Sequence, residues 1–229
     1  GKERVINTPI SEAGFTGIGV GAAMTGLRPV VDIMFGDFST LIMDQMVNQA
    51  AKVHYMSGGK WKVPMVMRAT LGATRRSAAQ HSQSLHAWFA HIPGLKVVLP
   101  STPYDAKGLM KSAIRDDNPV VFLEGEMLYN TKGEVPEGEY TIPIGQAELK
   151  REGDACTIVT HGKMVLVAMQ AAATADRSCR SGIRQPSRRM ATPRTWLERR
   201  RYASRSGIVT ARPSSSPVIL IWHASRELG

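Results

Sequence analysis

The sequence predicts an α/β protein: a largely parallel sheet covered on both faces by helices, followed by the start of a second α/β domain. Two observations carry the first part of that reading. Short runs such as "VPMVMRA" and "PVVFLE" are apolar at consecutive positions, as strands buried on both faces are. Longer segments with apolar residues at helical spacing separate them, which is the alternation of a three-layer α/β architecture. The second domain is read from "ACTIVTHG" and "KMVLVAMQAAATA", a new strand and helix that follow a turn-rich stretch ending near Gly145.

In chain order, "ISEAGFTGIGVGAAMTG" opens a helix, with Ser11 as its cap and Glu12 in its first turn. "GIGVGA" fits the G-x-G-x-x-A dinucleotide pattern, but that motif needs a strand immediately before its first glycine, and here a helix has already begun. Glycine inside a helix costs about 1 kcal/mol relative to alanine, so the glycines at 14, 17, 19, 21 and 26 are read as sites of close packing. Residues Arg28 to Phe35 form a β-rich run. A helix follows, carrying Leu41, Ile42, Met46, Val47 and Ala50 and stopping at Gly58 and Gly59. Val63 to Ala69 is the next strand, succeeded by a polar loop to Gln83, the helix "SLHAWFAHI" and the strand "LKVVLP". Ser101 or Thr102 caps the helix after it, with Pro103 in its first turn and Asp105 placed as a capping carboxylate. These readings give domains at 1–127, a linker at 128–145, a β-α unit at 146–176 and a dissimilar tail at 177–229.

Composition bounds the function. The net charge is +10, yet the 229 residues divide unevenly: residues 177–229 hold twelve arginines, no lysine and two glutamates, leaving the first 176 residues neutral. Arginine without lysine, together with lost periodicity, reads as out-of-frame translation of GC-rich DNA. The rival reading is an arginine-rich arm that binds nucleic acid, a partner not otherwise expected. Cys156 and Cys179 lack metal-ligand spacing and are expected as reduced thiols. No apolar run approaches the roughly 20 residues of a membrane span and no targeting segment is visible. A soluble protein of the cytoplasm or mitochondrial matrix is the expectation.

Read together, "INTPISEAGFTGIGVGAAMTGLRPVVDIMFGDFS", "AAKVHYMSGG", "AAQHSQS", "PGLKVVLPSTPYDAKGLMKSAIRDDNPVVFLE" and "IPIGQA" resemble the beta subunits of thiamine-diphosphate-dependent 2-oxo acid dehydrogenases, most closely the pyruvate type. The resemblance runs from Lys2 to about Asp176 and implies the transketolase-like thiamine-diphosphate-binding fold. It implies oxidative decarboxylation of a 2-oxo acid and acyl transfer to lipoyl groups. Acetoin and branched-chain 2-oxo acid dehydrogenase subunits share most of the motifs. It also implies an alpha subunit in a heterotetramer, which supplies the magnesium and diphosphate ligands, and docking to a dihydrolipoamide acyltransferase core. The chain is read as a fragment of such a subunit, truncated before Gly1 and altered after Asp176, and inactive by itself.

The resemblance also assigns residues. Glu12 would hydrogen-bond the aminopyrimidine nitrogen and favour the tautomer that takes the proton from the thiazolium carbon. Without the family, Glu12 is a first-turn glutamate stabilised by the helix dipole. Phe38 would stack on the pyrimidine and Met34 line it, although both also suit a strand and its exit loop. His81 would stand near substrate for proton transfer, where a lone loop histidine is otherwise simply solvated. Met65, Ala113, Asp116 and Asn118 match a potassium loop of oxygen ligands, while "RDDNP" alone is an ordinary helix end. Arg75 and Arg76 stand where relatives often have glycine-rich text, either near cofactor phosphate or solvated.

Overall fold

A computed structural model describes residues 1, 3–72, 76–153, 156–180 and 217–221, in two compact units that divide along the chain between Gly145 and Gln146. The first unit is a four-stranded parallel sheet of order β1-β2-β4-β3, from β1 (Val30–Ile33), β2 (Val66–Leu71), β3 (Lys96–Val98) and β4 (Val120–Gly125). Successive residues of a strand point to opposite faces, so each strand divides its apolar side chains between two cores. Met67, Ala69, Val97, Val121 and Leu123 enter one, with α1 (Glu12–Met24) and α3 (His86–His91) contributing Val20, Ala23 and Phe89. Val66, Val98, Val120 and Phe122 enter the other, against Leu109 and Ala113 of α4 (Pro103–Arg115). Strand β1 differs, because Val31 and Ile33 are buried while Val30 and Asp32 are exposed on its other face. The sheet is therefore covered on both sides only where α4 reaches.

The glycines of α1 divide into distinct jobs. A Cβ on Gly19 would lie 2.6 Å from Val31 Cγ2, so this glycine brings the helix against β1. Gly17 would make ordinary contact with Gln45, and Gly21 faces nothing within 4 Å. Gly26 lies beyond the helix at φ +100° and shapes its exit. Ser11 occupies the cap position, but its side chain accepts no capping bond, because its backbone (φ −163°, ψ 78°) is not that of a capping residue. Thr102 does cap α4: its hydroxyl accepts from the Asp105 amide at 3.1 Å, and Asp105 Oδ2 accepts from the Thr102 amide at 3.0 Å.

The single helix expected between Asp37 and Gly59 is instead three pieces: a 3-10 segment Gly36–Ile42, a π-helical segment Asp44–Ala50 and α2 (Val53–Met56). Local hydroxyls account for the first break, since Ser39 and Thr40 donate to the carbonyls of Gly36 and Asp37, three residues back. The Ala51 amide then reaches the Met46 carbonyl, five residues back, which widens the turn. Gly58 and Gly59, at φ +63° and +81°, end α2 as anticipated.

The segment read as a linker is held on the first unit: Ile142 and Ile144 pack on the α4 core. The second unit contains α5 (Met164–Arg180) and a sheet of order β5-β7-β6, from β5 (Glu148–Arg151), β6 (Cys156–Thr160) and β7 (Pro217–Ile221). Strand β7 runs antiparallel to β5 and parallel to β6. Arg151 pairs with Asp176 across this unit. The reading of residues 177–229 as out-of-frame text falls mostly outside the described residues, as does Arg75; within the tail only the end of α5 and β7 are described. Among the described residues no helix is long and apolar enough to cross a membrane.

Gly94 has φ +98°, and a Cβ there would overlap the Ala51 carbonyl, so Gly94→Ala is expected to destabilise the first unit by about 2–3 kcal/mol. Gly21→Ala, in open space on a helix, is expected to stabilise it by up to about 1 kcal/mol. Urea denaturation compares them, and equal effects would contradict the packing. Asp117 accepts from Lys62 at 2.6 Å and Arg28 at 2.5 Å, and these bonds, Lys62 first, hold its carboxyl below the usual aspartate range. The folded value is depressed, so its stabilisation is complete above the unfolded-state pKa near ~3.9 and is lost as pH falls through the folded value. Asp117→Asn should therefore cost about 0.5–1 kcal/mol at pH 7, with the difference from the parent shrinking as the carboxylate titrates; a pH-independent difference would refute this account.

Candidate active site

The site grows from the carboxyl ends of β1 and β2, the usual place for ligands on a parallel sheet. Gly36 leaves β1 so close to β2 that a Cβ would overlap the Thr70 carbonyl oxygen. Thr70 Oγ1 donates to the Met34 carbonyl at 3.0 Å, tying the same two strand ends together. Asp37, 6% exposed, accepts from Gln83 twice, from its backbone amide at 3.1 Å and from Nε2 at 2.8 Å. The Gln83 carbonyl in turn accepts from the Gly72 amide at 3.1 Å, which closes the loop after β2. With both loops pinned, Phe35, Phe38 and His81 meet edge-to-face: ring centroids lie 4.6 Å apart for Phe35 and His81, 5.2 Å for Phe38 and His81, and 5.7 Å for Phe35 and Phe38.

The structure thus brings Phe38 and His81 together and adds Phe35. Met34 stands at the end of β1, 73% exposed and open to a ligand. Glu12 is half-buried in the first turn of α1, which packs on the 3-10 and π-helical segments. Among the described residues Glu12 has no hydrogen bond or ion pair, and none joins it to Phe38 or His81. Three buried oxygens of these elements also lack partners among the described residues: Ser82 Oγ next to His81 in sequence, Thr16 Oγ1 in α1 and Gln45 Oε1. A half-buried carboxylate, unsatisfied polar atoms and aromatic rings together fit a polar, aromatic group such as an aminopyrimidine.

Sequence reasoning missed Phe35, Asp37 and Gln83. Phe35 was legible as a second aromatic in "FGDF", whereas the Asp37–Gln83 link spans 46 positions and has no local signature.

Met65, Ala113, Asp116 and Asn118 also assemble, at the amino end of β4. The Met65 carbonyl accepts from the Val120 amide at 2.9 Å and that of Ala113 from the Asp116 amide at 3.3 Å. Asp116 holds the Asn118 amides through Oδ1, at 2.9 and 3.0 Å, and the Lys96 ammonium through Oδ2, at 2.7 Å. Lys96 already neutralises this carboxylate, so a second cation there would rely on the remaining lone pairs of the carbonyls.

Across the sheet, Arg68 makes a bidentate bond to Glu124 and reaches Asp32 at 3.1 Å. Its hydrogen bond to Glu124, more than any other influence, holds the guanidinium firmly charged. Tyr129 donates to Glu124 at 2.7 Å, and burial first, then that carboxylate, pushes the phenol well above its ordinary value. Arg68, Glu124 and Tyr129, bonded to one another, border a pocket of about 330 Å³ with Ser101, Thr102 and Leu128.

Comparison with known proteins agrees with this architecture. Residues 1–132 match the family described as transketolase, pyrimidine binding domain. The beta subunit of acetoin:2,6-dichlorophenolindophenol oxidoreductase of Bacillus subtilis is 56% identical over 173 residues, which cover 76% of this chain and 51% of that subunit. The pyruvate dehydrogenase E1 component subunit beta of Rhizobium meliloti is 54% identical over 174 residues, covering 76% and 38%. The 2-oxoisovalerate dehydrogenase subunit beta of Bacillus subtilis is 50% identical over 173 residues, covering 75% and 53%. The chain spans about half the length of the curated relatives it matches. At these similar identities the pyruvate, acetoin and 2-oxoisovalerate types are not set apart from one another. A solved split-gene transketolase, described as an inactive beta4 tetramer, shares the fold with a TM-score of 0.67 at 19% identity, covering 97% of this chain and 58% of that one. The chain belongs to the transketolase pyrimidine-binding domain family, among the relatives of the beta subunits of 2-oxo acid dehydrogenases.

Proposed function

We propose that this chain is the pyrimidine-binding portion of a thiamine-diphosphate-dependent 2-oxo acid dehydrogenase beta subunit acting on pyruvate. The observation that carries the reading is Glu12: a half-buried carboxylate without a partner among the described residues, on a helix packed against the segment that bears Phe38. Bound thiamine diphosphate would supply an electron sink for loss of carbon dioxide from the 2-oxo acid. Glu12 would donate or share a proton at the aminopyrimidine nitrogen and so set the tautomer of that ring. Phe38, braced by Phe35 and His81, would hold the ring in place, with Met34 against it. His81, donating or receiving a proton at a ring nitrogen, would act on the substrate side.

In this reading an alpha subunit completes a heterotetramer and provides the magnesium and diphosphate ligands. A dihydrolipoamide acyltransferase core receives the acetyl group. Potassium, if bound, would use the carbonyl lone pairs of Met65 and Ala113 beside the Lys96–Asp116 pair. The 56% identity to an acetoin-oxidising relative favours acetoin as the second reading.

Reconstitution of a beta subunit carrying this sequence with an alpha partner tests the proposal. Glu12→Gln should slow exchange of the thiazolium-carbon proton by about 10²–10⁴-fold while leaving the fold intact, and near-normal exchange would remove Glu12 from this role. His81→Ala should spare that exchange and lower turnover by about 10²-fold or more. Comparing pyruvate, acetoin and 3-methyl-2-oxobutanoate on the same assembly selects the substrate, and preference for either of the latter two overturns the pyruvate assignment.

A further inference from the structure

The family match ends at residue 132, yet the chain beyond it does not leave the first unit. Residues 133–144 run along α4, and three kinds of contact hold them. The first is steric. A Cβ on Gly108 would lie 2.6 Å from Ile142 Cγ1 and 2.7 Å from Tyr140 Cε2, so only glycine leaves this seat open. The second is hydrogen bonding that substitutes for a strand partner: the Ile142 amide donates to the Gly108 carbonyl at 3.3 Å, and Ser112 Oγ donates to the Ile142 carbonyl at 2.6 Å. The third is charge. The Lys107 ammonium donates to the Pro136 carbonyl, lies 3.5 and 3.3 Å from those of Glu137 and Gly138, and stands 5.0 Å from the centre of the Tyr140 ring. Tyr140 stacks on Tyr104 with centroids 4.6 Å apart, and Glu139 pairs with Lys111 and Arg115, each at 2.7 Å.

An ammonium held by consecutive carbonyls and an aromatic face is a cation cage made by the chain for its own lysine. We propose that residues 133–144 form a strap seated on Gly108 and latched by Lys107, a conformational device that seals the α4 core and opens when the lysine charge is removed. Ile142 and Ile144 are the groups the open strap would uncover, together with the half of the core they close. Any chemistry that neutralises a lysine, acylation of its amine included, would act on this latch.

Hydrogen exchange on the full 229-residue chain provides the test. Lys107→Gln is expected to speed exchange of peptides within 133–144 by about tenfold, without altering β2 or β4, because one charged anchor is lost locally. Lys107→Arg should restore most of the protection, and Lys132→Gln, on a residue that belongs to neither seat nor latch, should leave it unchanged. Gly108→Leu puts a better helix former in α4 but fills the seat, and should release the strap by itself. Unchanged exchange in Lys107→Gln, or an equal rise in Lys132→Gln, overturns the latch; unchanged exchange in Gly108→Leu overturns the seat.

Discussion

The contact of Gly36 with the Thr70 carbonyl governs the chemistry-bearing end of the sheet. A side chain at this point would push the end of β1 away from β2, and with it the segment that begins at Asp37. Because the two backbones touch, the chain turns at once into 3-10 geometry, and Phe35 and Phe38 fall on the side where His81 arrives from the loop after β2. Asp37 is buried by the same turn and must be paired, a need that Gln83 meets with two donors. One absent methyl group thereby couples two loops that are far apart in sequence, the one after β1 and the one after β2.

Charges are arranged around this sheet according to their depth. Lys96 and Asp116 are each about 15% exposed, and Asp116 is also held by Asn118, so removing either partner would strand a largely desolvated ion. Asp117, next in sequence, is 44% exposed between Arg28 and Lys62, and its pairs are correspondingly modest contributors. Arg68 links β1, β2 and β4 through Asp32 and Glu124, aligning strand ends that hydrogen bonding along the ladder also holds in register. The strap on α4 continues the pattern, since its charged contacts lie outside and its isoleucines inside.

What could be read without coordinates was local. Strands β2 and β4 announced themselves because both faces are buried, and α4 because its cap, its proline and its apolar stripe are neighbours in the chain. The 3-10 and π-helical breaks between Asp37 and Ala50 escaped notice, as their apolar residues keep a helical rhythm while the backbone answers to Ser39, Thr40 and a distant Gln83. Glu12 was singled out by likeness to a family; it is half-buried in the first turn of α1, the helix that also carries Thr16.

By itself, then, the order of residues determined the α/β class, the capped start of α4 and the glycine stop of α2, because periodicity, caps and turns act over a few positions, while likeness to a family supplied the candidate carboxylate and imidazole. Only the tertiary structure decided that Phe35 joins Phe38 and His81, that Asp37 answers Gln83, that β1 is open on one face, and that a presumed linker lies strapped along α4. Each of these depends on backbones meeting across dozens of residues, where the absence of a side chain at Gly36 or Gly108 matters as much as the presence of one elsewhere.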